Sequence, residues 1–134
     1  MPLLSSKGKY GLAALCEIKK HTADTPISKK EIAKKANIPS NYLDQLLTKL
    51  RAAGFIKSTR GSLGGYILAL PAEDIELLDV LIALEGELKV INDLEEETLL
   101  SLYFDDVQSK INSIFKIKLS QLSEYGNKFL HYQI

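Results

Sequence analysis

The sequence predicts a mainly α-helical fold with one small β-hairpin, and three observations support this prediction. Residues 28–53 contain two short apolar patterns of helical spacing, separated by a tight turn. Two strand-like runs follow, and the segment between them has three glycines within five residues. A further apolar stripe of helical spacing runs for about five turns near residues 95–115. These patterns together predict a winged helix-turn-helix followed by a long C-terminal helix.

The chain begins with a predicted helix over residues 5–21, whose apolar side chains recur at helical spacing. Lys7, Lys9 and Tyr10 lie near its start, where they are candidates for contacts with phosphate groups or, equally, ordinary surface residues. We interpret Cys16, on the apolar stripe, as a small buried hydrophobic residue because no neighbouring group would activate its thiol. A single cysteine also excludes an internal disulfide.

The two helices of the helix-turn-helix each have a recognisable start. Ser28 and Glu31 predict a capping box at the first helix, which ends at a proline-containing turn. The second helix is predicted over residues 40–53, with Ser40 or Asn41 as its N-cap, until a glycine ends it. Its apolar side consists of Leu43, Leu46, Leu47 and Leu50.

The segment after the second helix predicts a hairpin. Residues 55–58 and 66–69 are strand-like, and the glycine-rich segment 59–65 between them is the predicted wing. Glycines are expected there because a hairpin tip requires positive φ angles that other residues adopt only at a cost. The wing residues to which we assign a role are Arg60, Gly61, Gly64 and Gly65.

The formal net charge of zero conceals a division of charge along the chain. Residues 1–71 carry 12 Lys and Arg against 4 Asp and Glu, whereas residues 72–134 carry 5 against 13. Because the positive segment contains the helix-turn-helix, the division indicates nucleic-acid binding, although the lysines also keep a helix soluble. No apolar run approaches the roughly 20 residues that span a bilayer, and the N-terminus has no signal-peptide pattern. We therefore expect a cytoplasmic protein with no membrane partner.

Three stretches carry a family resemblance. They are SSKGKYGLAAL at 5–15, NYLDQLLTKLRAAGFIKSTRGSLGGYILALP at 41–71, and DIELLDVLIALEG at 74–86. On these residues the chain resembles the bacterial winged-helix repressor family that includes IscR, NsrR and CymR. The resemblance implies a homodimer, in which a long helix after the LEG segment crosses to the other subunit. In this chain that helix would run from about residue 95 to residue 115.

The apolar stripe supports this helix independently of the resemblance. The residues that we expect in a dimer interface are Leu99, Leu100, Tyr103, Val107, Ile111 and Ile114. A symmetric partner helix would cover so long a stripe, since a single winged domain has limited apolar surface. The alternative is that the helix folds back onto the first helix of its own chain.

The chain departs from the family in one respect. Many members hold an iron–sulfur cluster through three cysteines after the LEG segment, but residues 87–106 contain neither Cys nor His. We therefore expect no metal and no cofactor, and the chain resembles most closely the cluster-free CymR-type branch. That branch implies a cysteine-biosynthesis enzyme as a partner. The C-terminus, with Tyr132 and Ile134, resembles the tails that O-acetylserine sulfhydrylases accept, although packing of the tail on the dimer is the alternative.

The first turns of the second helix are the part that enters a major groove. Asn41, Asp44 and Gln45 lie there and are the expected base contacts, with Asp44 accepting from the exocyclic amine of cytosine. The family commonly has serine, glutamate and glutamine at these positions. The expected contacts with the DNA backbone are Lys7, Lys9, Tyr10, Ser28, Tyr42 and Lys49. Arg60 is expected to enter the minor groove.

We expect residues 1–86 to form a DNA-binding domain, and residues 87–134 a dimerisation helix with a C-terminal tail. The expected function is that of a homodimeric repressor that recognises an inverted repeat, with helix 40–53 in the major groove and wing 59–65 in the minor groove. Two alternatives stay open: a winged-helix protein-interaction module, and an iron–sulfur sensor with non-cysteine ligands. An enzyme is not indicated, because the two histidines are far apart and no nucleotide-binding glycine loop is present.

Overall fold

The computed structural model describes residues 2–61, 64–92 and 96–126. Its helices are α1 (Ser6–Lys19), α2 (Lys29–Ala36), α3 (Ser40–Ala52), α4 (Leu77–Glu85) and α5 (Leu99–Ile114). Its strands are β1 (Ile56–Thr59) and β2 (Gly65–Leu68), and single 3-10 turns span Ala72–Asp74 and Leu119–Leu122. The predicted class, a mostly helical fold with one hairpin, is therefore confirmed.

Ser28 caps α2 as predicted, but the reciprocal bond from Ser28 N to the Glu31 side chain that would complete the capping box is not formed, and the predicted cap of α3 is absent. Ser28 Oγ accepts a hydrogen bond from Glu31 N at 3.2 Å, as a cap should. The expectation that Ser40 or Asn41 caps α3 is wrong, because the N-cap residue is Pro39 and it makes no side-chain cap bond. Extended backbone at Pro39 turns the chain directly into the helix, so both candidate residues already lie within the first turn. Asn41 Oδ1 instead accepts from the amide of Tyr42 at 3.0 Å.

The hairpin is joined to the helical part of the fold by a short backbone bridge. Strands β1 and β2 pair antiparallel from Ile56 opposite Leu68 to Thr59 opposite Gly65, one residue away from the predicted strand limits. Ile27, just before α2, bridges Tyr66 through two backbone hydrogen bonds of 3.2 and 2.7 Å. The wing is therefore fixed to the start of the helix-turn-helix.

One hydrophobic core holds α1 to α4 and the hairpin together. Its fully buried members include Leu15, Ile18, Ile32, Leu43, Leu50 and Leu84. Gly11 of α1 lies so close to α4 that a Cβ atom there would be 2.3 Å from a methyl carbon of Leu84. Leu119 belongs to the same core although it follows α5, and its amide donates to the carbonyl of Ile75 at 2.8 Å. The chain thus returns from α5 to the winged domain.

The helix predicted over residues 95–115 is α5, and it begins later than expected. Thr98 caps it in a capping box with Ser101, so Glu96 and Glu97 precede the helix. None of its residues is buried, and Leu99 is 84% and Ile114 70% exposed. The apolar stripe of α5 is thus largely uncovered in the single chain.

None of the helices in the described ranges combines the length and the apolar character that crossing a bilayer requires.

Candidate nucleic-acid interface

Helix α3 presents a polar face opposite its leucine face. Leu43, Leu46, Leu47 and Leu50 are at most 2% exposed, and they fix the rotation of the helix against the core. Asn41, Asp44 and Gln45, the predicted base contacts, are all exposed. Because the leucines are buried, these three side chains project away from the body of the domain, in the first two turns of the helix.

Asp44 is paired with a residue that the sequence analysis did not select. The Lys29 ammonium, at the first position of α2, donates a hydrogen bond to Asp44 Oδ1 at 2.8 Å. This hydrogen bond and the opposite charge raise the pKa of Lys29. The two residues are 15 positions apart and only the packing of α2 on α3 brings them together, so no local pattern signals the pair.

Two of the residues predicted to contact the DNA backbone pack against each other. The rings of Tyr10 in α1 and Tyr42 in α3 meet edge to face, with their centroids 5.7 Å apart. The Lys9 ammonium lies 5.4 Å from the centroid of the Tyr10 ring, within range of a cation–π interaction. The fold therefore gathers Lys9, Tyr10 and Tyr42 into one cluster beside the start of α3, while Lys7 is exposed in the first turn of α1.

The side chains of Ser28 and Lys49 make hydrogen bonds inside the chain. Ser28 Oγ caps α2, as described above. The Lys49 ammonium donates to the carbonyl of Leu84, in the last turn of α4, at 3.3 Å. A cation at that position is favourable because the C-terminal end of a helix carries partial negative charge. Lys49 therefore links α3 to α4.

The structure describes the wing at residues 59–61 and 64–65. Gly61 has a φ of +106°, and Arg60 before it is exposed. Thr59 Oγ1 accepts from the amide of Gly65 at 3.0 Å, which closes the base of the wing. Ser62 and Leu63 lie outside the described residues. The predicted tail residues Tyr132 and Ile134 also lie outside them.

A cleft of about 520 Å³ lies between α5 and the segment 87–92 that follows α4. Gln108 of α5 connects its two sides, since its side chain donates to the carbonyl of Leu88 and accepts from the amide of Val90 at 2.8 Å. Carboxylates from Glu87, Glu96, Glu97 and Asp105 line the cleft. The hydrogen bonds of Gln108 attach α5 to segment 87–92, which leaves the winged domain.

The helix pair α2 and α3, the outward polar face of α3 and the adjoining hairpin define a winged helix-turn-helix DNA-binding protein. The family model described as "Rrf2: Iron-dependent Transcriptional regulator" matches residues 4–125. The chain therefore belongs to the Rrf2 family of transcriptional regulators, and the resemblance inferred from the sequence is confirmed.

The similar proteins are DNA-binding regulators. The HTH-type transcriptional regulator CymR of Bacillus subtilis (strain 168) is 40% identical over 94 residues, which cover 70% of this chain and 68% of CymR. The solved structure of CymR (YrzC), the global cysteine regulator of B. subtilis, has a TM-score of 0.81 at 34% identity, covering 93% of this chain and 98% of that one. The structure of T. potens IscR has a TM-score of 0.78 at 32% identity, covering 92% and 87%. The chain is accordingly a DNA-binding transcriptional regulator.

The family description names iron, which proteins hold through several thiolate, imidazole or carboxylate ligands placed close together. Among the described residues, no group of three or more His, Cys, Asp and Glu side chains has the arrangement that holds a metal ion. Cys16, the single cysteine, packs against the core in α1, and burial raises the pKa of its thiol. A protonated, half-buried thiol is a poor ligand because the thiolate is the form that binds metal. The described residues do not fit an iron–sulfur cluster.

Proposed function

We propose that this regulator is a homodimeric repressor that recognises an inverted repeat, with α3 in the major groove and the wing, residues 59–65, in the minor groove. The observation that carries the proposal is the exposed polar face in the first turns of α3, next to the wing and opposite the buried leucines. It acts through DNA binding without catalysis, and as a regulator of transcription it works in the cytoplasm, where bacterial DNA lies.

The dimer rests on the exposed apolar side chains of α5. Leu99, Leu100, Leu102, Tyr103 and Ile114 are between 59% and 84% exposed, and Val107 and Ile111 are half-buried. So many large apolar side chains on one helix favour a second copy as the covering surface, because a two-fold axis lets the same helix cover itself. In this arrangement residues 1–86 bind DNA, while residues 87–134 provide the dimerisation helix and the tail.

The proposed contacts follow the geometry of the interface. Asn41, Asp44 and Gln45 recognise bases, and Arg60 enters the minor groove. The DNA backbone is held by Lys7, Lys9, Tyr10, Ser28, Tyr42 and Lys49. Ser28 and Lys49 remain in this set although they have internal partners, because a hydroxyl that accepts a bond still has a proton to donate, and an ammonium has three donors.

The experiment that tests the proposal is selection from a pool of randomised duplexes, followed by fluorescence anisotropy on the enriched duplex. We expect the enriched sequence to be an inverted repeat. The logarithm of the affinity for this duplex should fall linearly with the logarithm of the salt concentration. Asp44→Ala should lower discrimination at one base pair of each half-site by about 1 to 3 kcal/mol. The control variant Lys7→Ala should weaken specific and random duplexes equally. A pool without an enriched sequence would favour the protein-interaction module instead.

We also propose a cysteine-biosynthesis enzyme as a protein partner, bound through the C-terminal residues Tyr132 and Ile134. The support is the similarity to CymR, whose solved structure is described as that of a global cysteine regulator. Deletion of residues 132–134 should abolish co-purification with an O-acetylserine sulfhydrylase while DNA affinity stays unchanged. Co-purification of the truncated chain at the wild-type level would contradict this partner.

A further inference from the structure

The ion pair between Lys29 and Asp44 connects the two helices of the helix-turn-helix at the DNA-facing surface. The side chain of Lys29 is 46% and that of Asp44 55% exposed, so the pair is open to an approaching duplex. Lys29 follows the N-cap residue Ser28, whose neighbour Ile27 is fixed to the hairpin. The ammonium therefore extends from a backbone position that directly follows two fixed residues.

The pair restricts one specific carboxylate. Asp44 Oδ1 accepts the hydrogen bond from Lys29, and the nearby Thr48 hydroxyl bonds the backbone carbonyl of Asp44, not its carboxylate. The second carboxylate oxygen, Oδ2, is thereby left in a defined direction as an acceptor. The ammonium also balances the negative charge of Asp44, which would otherwise be repelled by DNA phosphates.

We propose that Lys29 is a positioning residue for base recognition, whose ammonium orients the Asp44 carboxylate so that Oδ2 accepts a hydrogen bond from an exocyclic base amine in the major groove. This inference rests on the proposed function of Asp44 as a base contact. It assigns to the first residue of α2 an effect on sequence preference, although Lys29 itself touches no base. Aspartate is shorter than glutamate, so its carboxylate reaches the base edge from fewer side-chain orientations. It therefore gains more from such support.

The neighbouring residue Lys30 provides a matched control. It is also an exposed lysine in the first turn of α2, but it makes no hydrogen bond or ion pair with Asp44. Lys29→Gln and Lys30→Gln remove the same charge from the same turn, and only the first removes the support of the carboxylate. Lys29→Arg keeps a charged donor and serves as the conservative variant.

The experiment uses the full chain and the duplex enriched from the randomised pool by the wild-type protein, together with its single-base variants. Discrimination is the ratio of the Kd for each variant duplex to the Kd for the enriched duplex. Asp44→Ala first identifies the base pair at which discrimination falls, by roughly 5- to 150-fold. Circular dichroism of each variant confirms that it is folded.

We expect Lys29→Gln to lower discrimination at that base pair by about two- to fivefold, the range of an exposed ion pair. Lys29→Arg should retain most of the discrimination, and Lys30→Gln all of it, although both glutamine variants bind every duplex more weakly. In the Asp44→Ala background, Lys29→Gln should change discrimination no further.

Three results would overturn the inference: unchanged discrimination in Lys29→Gln, an equal loss in Lys30→Gln, or a loss that persists in the Asp44→Ala background. The last would mean that Lys29 acts on DNA directly. If Asp44→Ala discriminates as the wild type does, the base contact of Asp44 is refuted, and the positioning role of Lys29 with it.

Discussion

Gly65 provides the sharpest test of how the wing is attached. A Cβ atom at this position would lie 2.4 Å from the carbonyl oxygen of Ile27, whereas real Cβ atoms essentially never come within 3.0 Å. Gly65→Ala therefore requires a shift of at least about 0.6 Å between two backbone segments, neither of which is a flexible side chain. The Ile27–Tyr66 bridge lies directly beside this contact.

The magnitude follows from the two bridge hydrogen bonds, which are 2.7 and 3.2 Å long. A shift of this size breaks the longer bond and weakens the shorter one, at a cost of about 1 to 2 kcal/mol. With about 1 kcal/mol of residual strain, we expect the free energy of unfolding to fall by about 2 to 3 kcal/mol. In urea this corresponds to a midpoint lower by about 1 to 2 M.

Urea unfolding followed by circular dichroism measures the effect. Gly126→Ala is the control, because a Cβ atom at Gly126 would meet nothing within 4 Å. Equal midpoints for the two alanine variants would refute the reasoning that the wing is fixed by this close backbone contact.

Three further predictions concern other parts of the chain. Leu100→Glu places a charge in the proposed dimer interface, so the mass measured by light scattering should fall from that of a dimer, twice 14.9 kDa, to that of a monomer. The control variant Leu70→Glu, at an exposed leucine outside α5, should leave the dimer mass unchanged. Thr98→Ala removes the cap of α5 and should lower the free energy of unfolding of the dimer by about 1 kcal/mol in denaturant titrations. Burial raises the pKa of the Cys16 thiol, and the thiolate is the form that reacts with iodoacetamide. Cys16 should therefore react more slowly than a free thiol at pH 8, and its reaction rate should rise only at higher pH. A Cys16 rate equal to that of the denatured chain would contradict the last prediction.

Local signals in the sequence predicted most of the fold. The cap at Ser28, the leucine spacing of α3 and the positive φ of Gly61 each act within a few residues, so the sequence alone identifies them. The expectation that the other wing glycines also need positive φ angles is wrong: Gly64 and Gly65 have none, and Gly65 is required by its close approach to Ile27. The N-cap of α3 was missed because proline offers no side-chain acceptor, and its extended backbone at Pro39 starts the helix by geometry alone.

The sequence did not predict the contacts between distant elements. The Lys29–Asp44 pair depends on the packing angle of α2 and α3, and the Lys49–Leu84 contact on that of α3 and α4. Leu119 is fully buried in the main core, yet its place after α5 gave no indication of a return to the winged domain. Spacing patterns identify which face of a helix is apolar, but they do not identify what lies opposite that face.

The last turn of α4 contacts both α1 and α3. Leu84 accepts from Lys49 of α3, and the Glu85 carboxylate accepts from the amide and hydroxyl of Ser5, the N-cap residue of α1. The start of α1 and the end of α3 are thus oriented relative to the same turn, which Gly86 ends with a φ of +88° before segment 87–92 begins. A rotation of that turn would therefore move α1 and α3 together. A molecule that rotated this turn on binding segment 87–92 would change DNA affinity, and by thermodynamic linkage DNA would change the affinity for that molecule by the same factor.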